Sequence, residues 1–103
     1  MSWYAYLAYF FAGVFLVNGI PHFIHGVSGK KFRTPFSKPM TTGTSSPVLN
    51  IIWGAVNFLI GYALIFGVGQ FQLGFTLDTL MLILGAIVMA VALALIFTRL
   101  QES

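Results

Sequence analysis

Residues 3–24 read WYAYLAYFFAGVFLVNGIPHFI, and this stretch decides what kind of fold the chain adopts. It has no Lys, Arg, Asp or Glu. As an α-helix it would be about 33 Å long, which matches a bilayer hydrocarbon core of about 30 Å. Two more apolar stretches of this length follow. We therefore predict an all-α membrane protein, a single integral membrane domain with three transmembrane helices: TM1 (about 3–25), TM2 (about 47–68) and TM3 (about 77–98).

The composition of the whole chain excludes an ordinary soluble domain. Of its 103 residues, 58% are hydrophobic and 7% are charged, whereas a soluble domain carries about 25% charged residues. The first apolar stretch has no basic residues before it and no small-residue cleavage pattern after it, so we expect it to stay in the mature protein. Cysteine is absent, which excludes disulfides and thiolate chemistry.

The positions of the basic residues predict the orientation. Four of the five lie between TM1 and TM2, and Arg99 follows TM3. The positive-inside rule then places the N-terminus outside and the C-terminus in the cytoplasm, with TM1 and TM2 as an antiparallel hairpin. The net charge of +3 is explained by this topology, so we expect no nucleic-acid partner. We expect the protein in a bacterial inner or plasma membrane.

Helix starts are visible in the sequence. Ser46 precedes Pro47, the combination of an N-cap and a first-turn proline, so TM2 should begin there. Thr76 can cap TM3, and Asp78 then lies in the first turn, where the helix dipole favours an anion. The other carboxylate is Glu102, at the opposite end of TM3. These two carboxylates cannot form an acid–base pair, and we predict that the protein is not an enzyme.

Polar side chains recur at helical spacing on one face of TM1 and one face of TM2. This intramembrane stripe consists of Asn18, His22, His25, Asn50, Trp53 and Asn57. In an antiparallel hairpin, the spacing predicts that Asn18 faces Asn57. The same register places His25 opposite Asn50, and His22 near Trp53. A side-chain amide in hydrocarbon needs a hydrogen-bond partner, so we expect the two helices to bond to each other.

The stripe is compatible with other functions, because ionisable residues inside membranes often mark ion or proton paths. His22 and His25 could also ligate haem between chains or contact a quinone. A zinc site within one chain is disfavoured, since the H-x-x-H spacing supplies two ligands and no Cys, Asp or Glu lies at that depth. We therefore expect no metal site and no cofactor.

Small residues indicate where helices approach closely. The candidates for helix packing are Gly19, Gly54, Gly61, Gly85, Ala86, Ala90 and Ala94. TM3 carries two faces of this kind, which suggests one contact within the chain and one between chains. We expect a homo-oligomer or a subunit of a larger membrane complex.

The connection at about 26–46 interleaves cations and aromatic rings. The candidates for contact with lipid headgroups or a partner are Lys30, Lys31, Phe32, Arg33, Phe36 and Lys38. A basic and aromatic segment beside a bilayer is expected to bind anionic lipid. Recognition of a phosphate-bearing ligand is the alternative.

The sequence is compatible with two main functions. The favoured one is a small non-enzymatic scaffold or accessory subunit, with the stripe used for packing and the loop contacting anionic lipid or a partner. The alternative is a minimal oligomeric channel or transporter for ions, protons or a small solute, lined by the stripe. A haem- or quinone-binding subunit is the third and less favoured hypothesis.

Overall fold

A computed structural model of the chain describes residues 2–38 and 43–102. In this part of the chain it contains three α-helices: α1 (Trp3–Val27), α2 (Pro47–Phe66) and α3 (Leu77–Glu102). Each is long and apolar enough to cross a membrane. The predicted all-α architecture with three helices of this type is therefore confirmed. Residues 39–42 of the predicted loop lie outside the described residues.

The helix ends differ from the predicted spans by a few residues. α1 continues to Val27, and Gly29 then takes a left-handed conformation (φ 71°). The Lys30 N–H donates to the His25 carbonyl across 2.9 Å, which closes the helix as glycine-terminated helices commonly close. α2 ends at Phe66, and α3 runs past the apolar stretch to Glu102. The ends of the hydrogen-bonded helices therefore do not coincide with the ends of the apolar stretches.

The predicted helix starts are confirmed. The Ser46 hydroxyl accepts a hydrogen bond from the Leu49 N–H (3.1 Å), with Pro47 in the first turn. The Thr76 hydroxyl accepts from the Thr79 N–H (3.2 Å). Both side chains satisfy backbone donors that a helix leaves without an internal partner.

α1 packs against both other helices, while α2 and α3 make no close backbone contact with each other in the described part of the chain. Small residues on α1 meet α2 in opposite chain order. The closest approaches are Ala12 with Gly61, Gly19 with Gly54, and Gly26 with Pro47. On both helices these contact positions recur every seven residues, the period that keeps the same faces of two helices in contact.

α1 meets α3 in the same chain order. Its tightest point is the Phe10 backbone against Gly85, with Gly13 against the backbone of Leu82 and Ala86. A Cβ added at Gly13 or Gly85 would overlap the opposite backbone, so this crossing depends on glycine at both positions.

The surface has the reverse of the usual distribution of polarity. Leu59 and Leu95 are each 67% exposed, whereas Asn50 and Asn57 are fully buried between helices. Only 6% of the apolar part of α3 is buried. The longest dimension is 43 Å, close to the roughly 40–45 Å of a bilayer with its headgroups. This distribution is stable in a membrane, where exposed apolar side chains contact lipid and need no burial by protein.

Candidate functional site

The polar residues of α1 and α2 form a hydrogen-bonded stripe between the two helices. At one end of the stripe, the Asn18 side-chain amide donates to the Asn57 Oδ1 across 2.9 Å. The Asn57 amide in turn donates to the Trp53 carbonyl (2.8 Å), one turn back on α2. The structure thus brings together the two amides whose spacing predicted a contact, and both are used within the chain.

Asn50 lies towards the other end of the stripe and makes most of the hydrogen bonds there. Its Nδ2 lies 3.0–3.2 Å from three backbone carbonyls, those of Phe32, Ser45 and Ser46. Its Oδ1 lies 2.9 Å from the His22 Nδ1. Three acceptors around the Nδ2 set the orientation of the amide, so the Oδ1 faces His22 and the His22 Nδ1 must carry the proton that is donated.

The predicted pairing of His25 with Asn50 is wrong. Asn50 bonds His22, one turn earlier on α1. The reason is the register of small residues. Since Gly26 lies at Pro47, a residue one turn later on α2 must lie about one turn earlier on α1. The ring of Trp53, which was predicted to lie near His22, packs edge-on against the ring of Phe36, with centroids 5.2 Å apart.

His25 bonds within its own helix. Its Nδ1 donates to the Pro21 carbonyl across 2.7 Å, and its ring stacks on Phe32 at a centroid distance of 3.9 Å and an angle of 10°. A carbonyl only accepts, so the proton of His25 is also on Nδ1. In the neutral state both imidazoles therefore keep a lone pair on Nε2, which can accept a hydrogen bond.

Phe32, predicted to contact lipid headgroups or a partner, also packs against rings of α1 and α3. Its ring is stacked on His25, lies 5.3 Å from the ring of His22, and lies 5.0 Å from the ring of Phe97 on α3. Its backbone pairs with Ser45 in a two-way hydrogen bond. The loop is thereby folded back onto the helices. Phe36, by contrast, is 55% exposed.

A buried hydroxyl cluster supports this loop and was not predicted. The Thr34 and Ser45 hydroxyl oxygens are 2.6 Å apart, and Ser37 Oγ lies 2.9 Å from Ser45 Oγ. The three side chains are 4–6% exposed. The high Ser and Thr content of the loop was the available signal, but composition does not tell which hydroxyls turn inward.

The cations of this end of the molecule point outward, with one exception. The exposed ones are Lys30, Lys31, Lys38 and Arg99. Arg33 is partly buried, and its Nη1 is buried without a hydrogen-bond partner in the described part of the chain. The basic end of the molecule thus combines exposed surface cations with one guanidinium nitrogen that no described protein group holds.

The small residues predicted for packing separate into different contacts. Gly19, Gly54 and Gly61 lie between α1 and α2. Gly85 and Ala86 meet α1, where their partner Gly13 was not predicted. Ala90 and Ala94 line a groove between α3 and α1. Glycine inside an apolar span was a signal for Gly13, but an unspecific one.

At the opposite end, α1 and α3 enclose a second pair of polar groups. Asp78 is buried, and its Oδ2 accepts from the Gln72 N–H (2.9 Å) in the preceding connection. The Tyr9 side chain is fully buried against the ring of Phe71, and its hydroxyl has no partner among the described residues. Asp78 thus holds the α2–α3 connection as well as lying in a first turn.

Metal ligands and known relatives offer no further assignment. Within residues 2–38 and 43–102, no group of three or more His, Cys, Asp or Glu side chains could hold a metal ion. The chain matches no family model, no curated protein and no solved structure.

Proposed function

We propose that the chain is a non-enzymatic integral membrane protein that acts as an oligomeric scaffold or as an accessory subunit of a membrane complex. In this proposal the N-terminus is outside, the C-terminus is cytoplasmic, and α1 and α2 form an antiparallel membrane hairpin. The basic loop lies at the cytoplasmic surface, where it contacts anionic lipid or a partner.

The observation that carries the proposal is the internal use of the polar stripe. Asn50 and Asn57 are fully buried, His22 is 5% exposed, and all three are hydrogen-bonded within the chain. Residues that line a path for ions or solutes must offer their polar atoms to the passing species. These residues offer theirs to backbone carbonyls and to one another, which favours packing over transport.

The order of helix contacts supports the proposed topology. α2 meets α1 in opposite chain order, and α3 meets it in the same order, since Phe10 contacts Gly85 while Pro21 lies across a groove from Ala94. This is the order expected when consecutive spans alternate in direction. With this arrangement the loop cations and Arg99 lie at one end of the molecule. That end is the cytoplasmic one by the positive-inside rule.

The large exposed face of α3 supports the assignment to an assembly. Only 6% of the residues in its apolar part are fully buried by the rest of the chain. Large side chains such as Ile87, Val91 and Leu95 are more than half exposed, so this face is free to contact a second copy or another subunit. Native mass spectrometry from lipid nanodiscs should therefore show more than one protein chain per particle. Release of single chains over the whole range of activation energies would contradict the scaffold proposal.

A flux measurement tests the proposal against the channel alternative. Proteoliposomes containing the wild-type chain and a trapped pH dye should show no proton flux above that of protein-free vesicles. His22→Ala should lower thermal stability and leave the flux unchanged, because His22 has a packing role. Robust wild-type flux that disappears in His22→Ala would replace the scaffold by a proton path.

A further inference from the structure

A groove runs between α1 and α3 towards the basic end of the molecule. Its volume is about 360 Å³. The side chains that form its walls are apolar except for that of Thr98, and they include Val17, Ile20, Pro21, Ala90, Ala94 and Phe97. The groove thus has the character of a site for a hydrocarbon chain.

The groove follows from the way the two helices cross. They are held together where Phe10 meets Gly85 and Gly13 meets Ala86. Beyond that point, α3 presents the small side chains of Ala90 and Ala94, which leave space beside Pro21. The crossing glycines and the two alanines therefore define a gap that no side chain of the described part of the chain fills.

A cluster of aromatic rings lies at the basic end of this groove. Phe97 belongs to the groove wall, and its ring lies 5.0 Å from that of Phe32. Phe32 in turn stacks on His25. The loop that contributes Phe32 also contributes Lys30 and Lys31 immediately before it and Arg33 immediately after it.

Charge at this end selects the occupant. Four cations flank the aromatic group in the sequence of the loop and of α3: Lys30, Lys31, Arg33 and Arg99. Of the two carboxylates, Asp78 begins α3 at the far end, and Glu102 ends α3 three residues after Arg99. An uncharged amphiphile such as a quinone has no negative charge to pair with these cations, whereas a phosphate forms charge-assisted hydrogen bonds with them.

We propose that the α1–α3 groove binds one anionic phospholipid, with an acyl chain against Pro21, Ala90 and Ala94 and the phosphate at the loop cations. Arg33 is the main phosphate ligand. Its Nη1 has no partner in the described residues, so turning the guanidinium to a headgroup breaks no hydrogen bond at that nitrogen, and its fork matches phosphate geometry. This inference rests on the membrane orientation of the proposed function and adds a specific site to it.

The experiment is native mass spectrometry of the full chain ejected from nanodiscs of equal parts phosphatidylglycerol and phosphatidylcholine. We expect the wild-type chain to retain one phosphatidylglycerol in clear preference to phosphatidylcholine. Ala94→Phe fills the groove without changing charge and should abolish that preference, and Ala90→Leu should weaken it. Ala63→Phe, at an exposed position of α2, adds the same ring as Ala94→Phe outside the groove and should leave the preference intact.

Variants that each remove one positive charge distinguish a specific lipid site from general electrostatic attraction between the loop and anionic lipid. Lys38→Gln should lower the preference by about fivefold, the effect of one diffuse surface cation. Arg33→Gln should lower it well beyond that. Thermal unfolding of each variant checks that it is folded.

Two outcomes would overturn the site. If Ala94→Phe and Ala90→Leu, both folded, retain phosphatidylglycerol like the wild type while Arg33→Gln and Lys38→Gln lose it equally, the lipid binds the loop diffusely. The proposed function would then stand without the groove site. If no variant changes lipid retention and no lipid is preferred, the lipid contact in the proposed function fails as well.

Discussion

Asn50 makes most of the polar contacts that hold the basic end of the molecule together. It bonds α1 through His22, the loop through the carbonyls of Phe32 and Ser45, and its own helix start through the Ser46 carbonyl. An amide has two donor hydrogens and an acceptor oxygen, so it can join a histidine N–H to several carbonyls at once. No apolar residue of the same size can replace it.

We expect Asn50→Leu to lower the free energy of unfolding by about 1–3 kcal/mol or more, because it leaves the buried His22 N–H and the carbonyls without their partner. The measurement is reversible unfolding in mixed micelles followed by circular dichroism. His22→Phe combined with Asn50→Leu should cost less than the sum of the two single changes, since the pair is in direct contact.

Asn57→Leu is the matched control for that experiment. It removes an equally buried amide of α2, but Asn57 bonds one side chain and one carbonyl of its own helix. Its partner Asn18 is only partly buried. A loss from Asn57→Leu equal to that from Asn50→Leu would show that the loop carbonyls do not depend on Asn50.

At the scale of helices, glycine decides how closely α1 approaches its neighbours. The Gly85 and Phe10 backbones are in direct contact, whereas Gly61 faces chiefly the flexible side chain of Leu16. Backbone cannot yield to an added methyl group, but the end of a leucine can. The two glycine contacts therefore differ in how much change they tolerate.

Gly85→Ala should therefore destabilise the α1–α3 contact by about 1–3 kcal/mol, the usual cost of overpacking. Gly61→Ala adds the same methyl group to the α1–α2 contact and should cost less. Unfolding in mixed micelles measures both. Equal stability of Gly85→Ala and wild type would mean that α1 and α3 do not cross at this point.

At the scale of the whole molecule, the distribution of charge agrees with the proposed alternation of helix direction. Polar groups are bonded between helices, large apolar side chains face outward, and the exposed loop cations lie between α1 and α2. A bilayer accepts this arrangement because each helix satisfies its own backbone groups.

Cysteine labelling in intact cells should establish the orientation, and the absence of native cysteine removes background. A membrane-impermeant maleimide should label Ser2→Cys and Gln70→Cys directly. It should label Ser28→Cys only after the membrane is permeabilised. All three positions are exposed. The reverse pattern would invert the proposed topology, and labelling of all three in intact cells would exclude a three-span arrangement.

Local features were predictable from the order of residues alone. The three apolar helices and the caps at Ser46 and Thr76 depend on residues within a few positions of one another. In hydrocarbon, a helix is the one conformation in which a single segment satisfies its own backbone. The amide stripe was also visible, because helical spacing places Asn18 and Asn57 on facing sides.

Only the tertiary structure decided which histidine meets Asn50. Residue spacing placed His25 at Asn50, but the contacts of Gly26 with Pro47 bring His22 there instead. The position of Phe32 among three helix-end rings was likewise absent from the local pattern. The physical reason is that helix register follows the closest approach of two backbones, which depends jointly on small residues far apart in the chain.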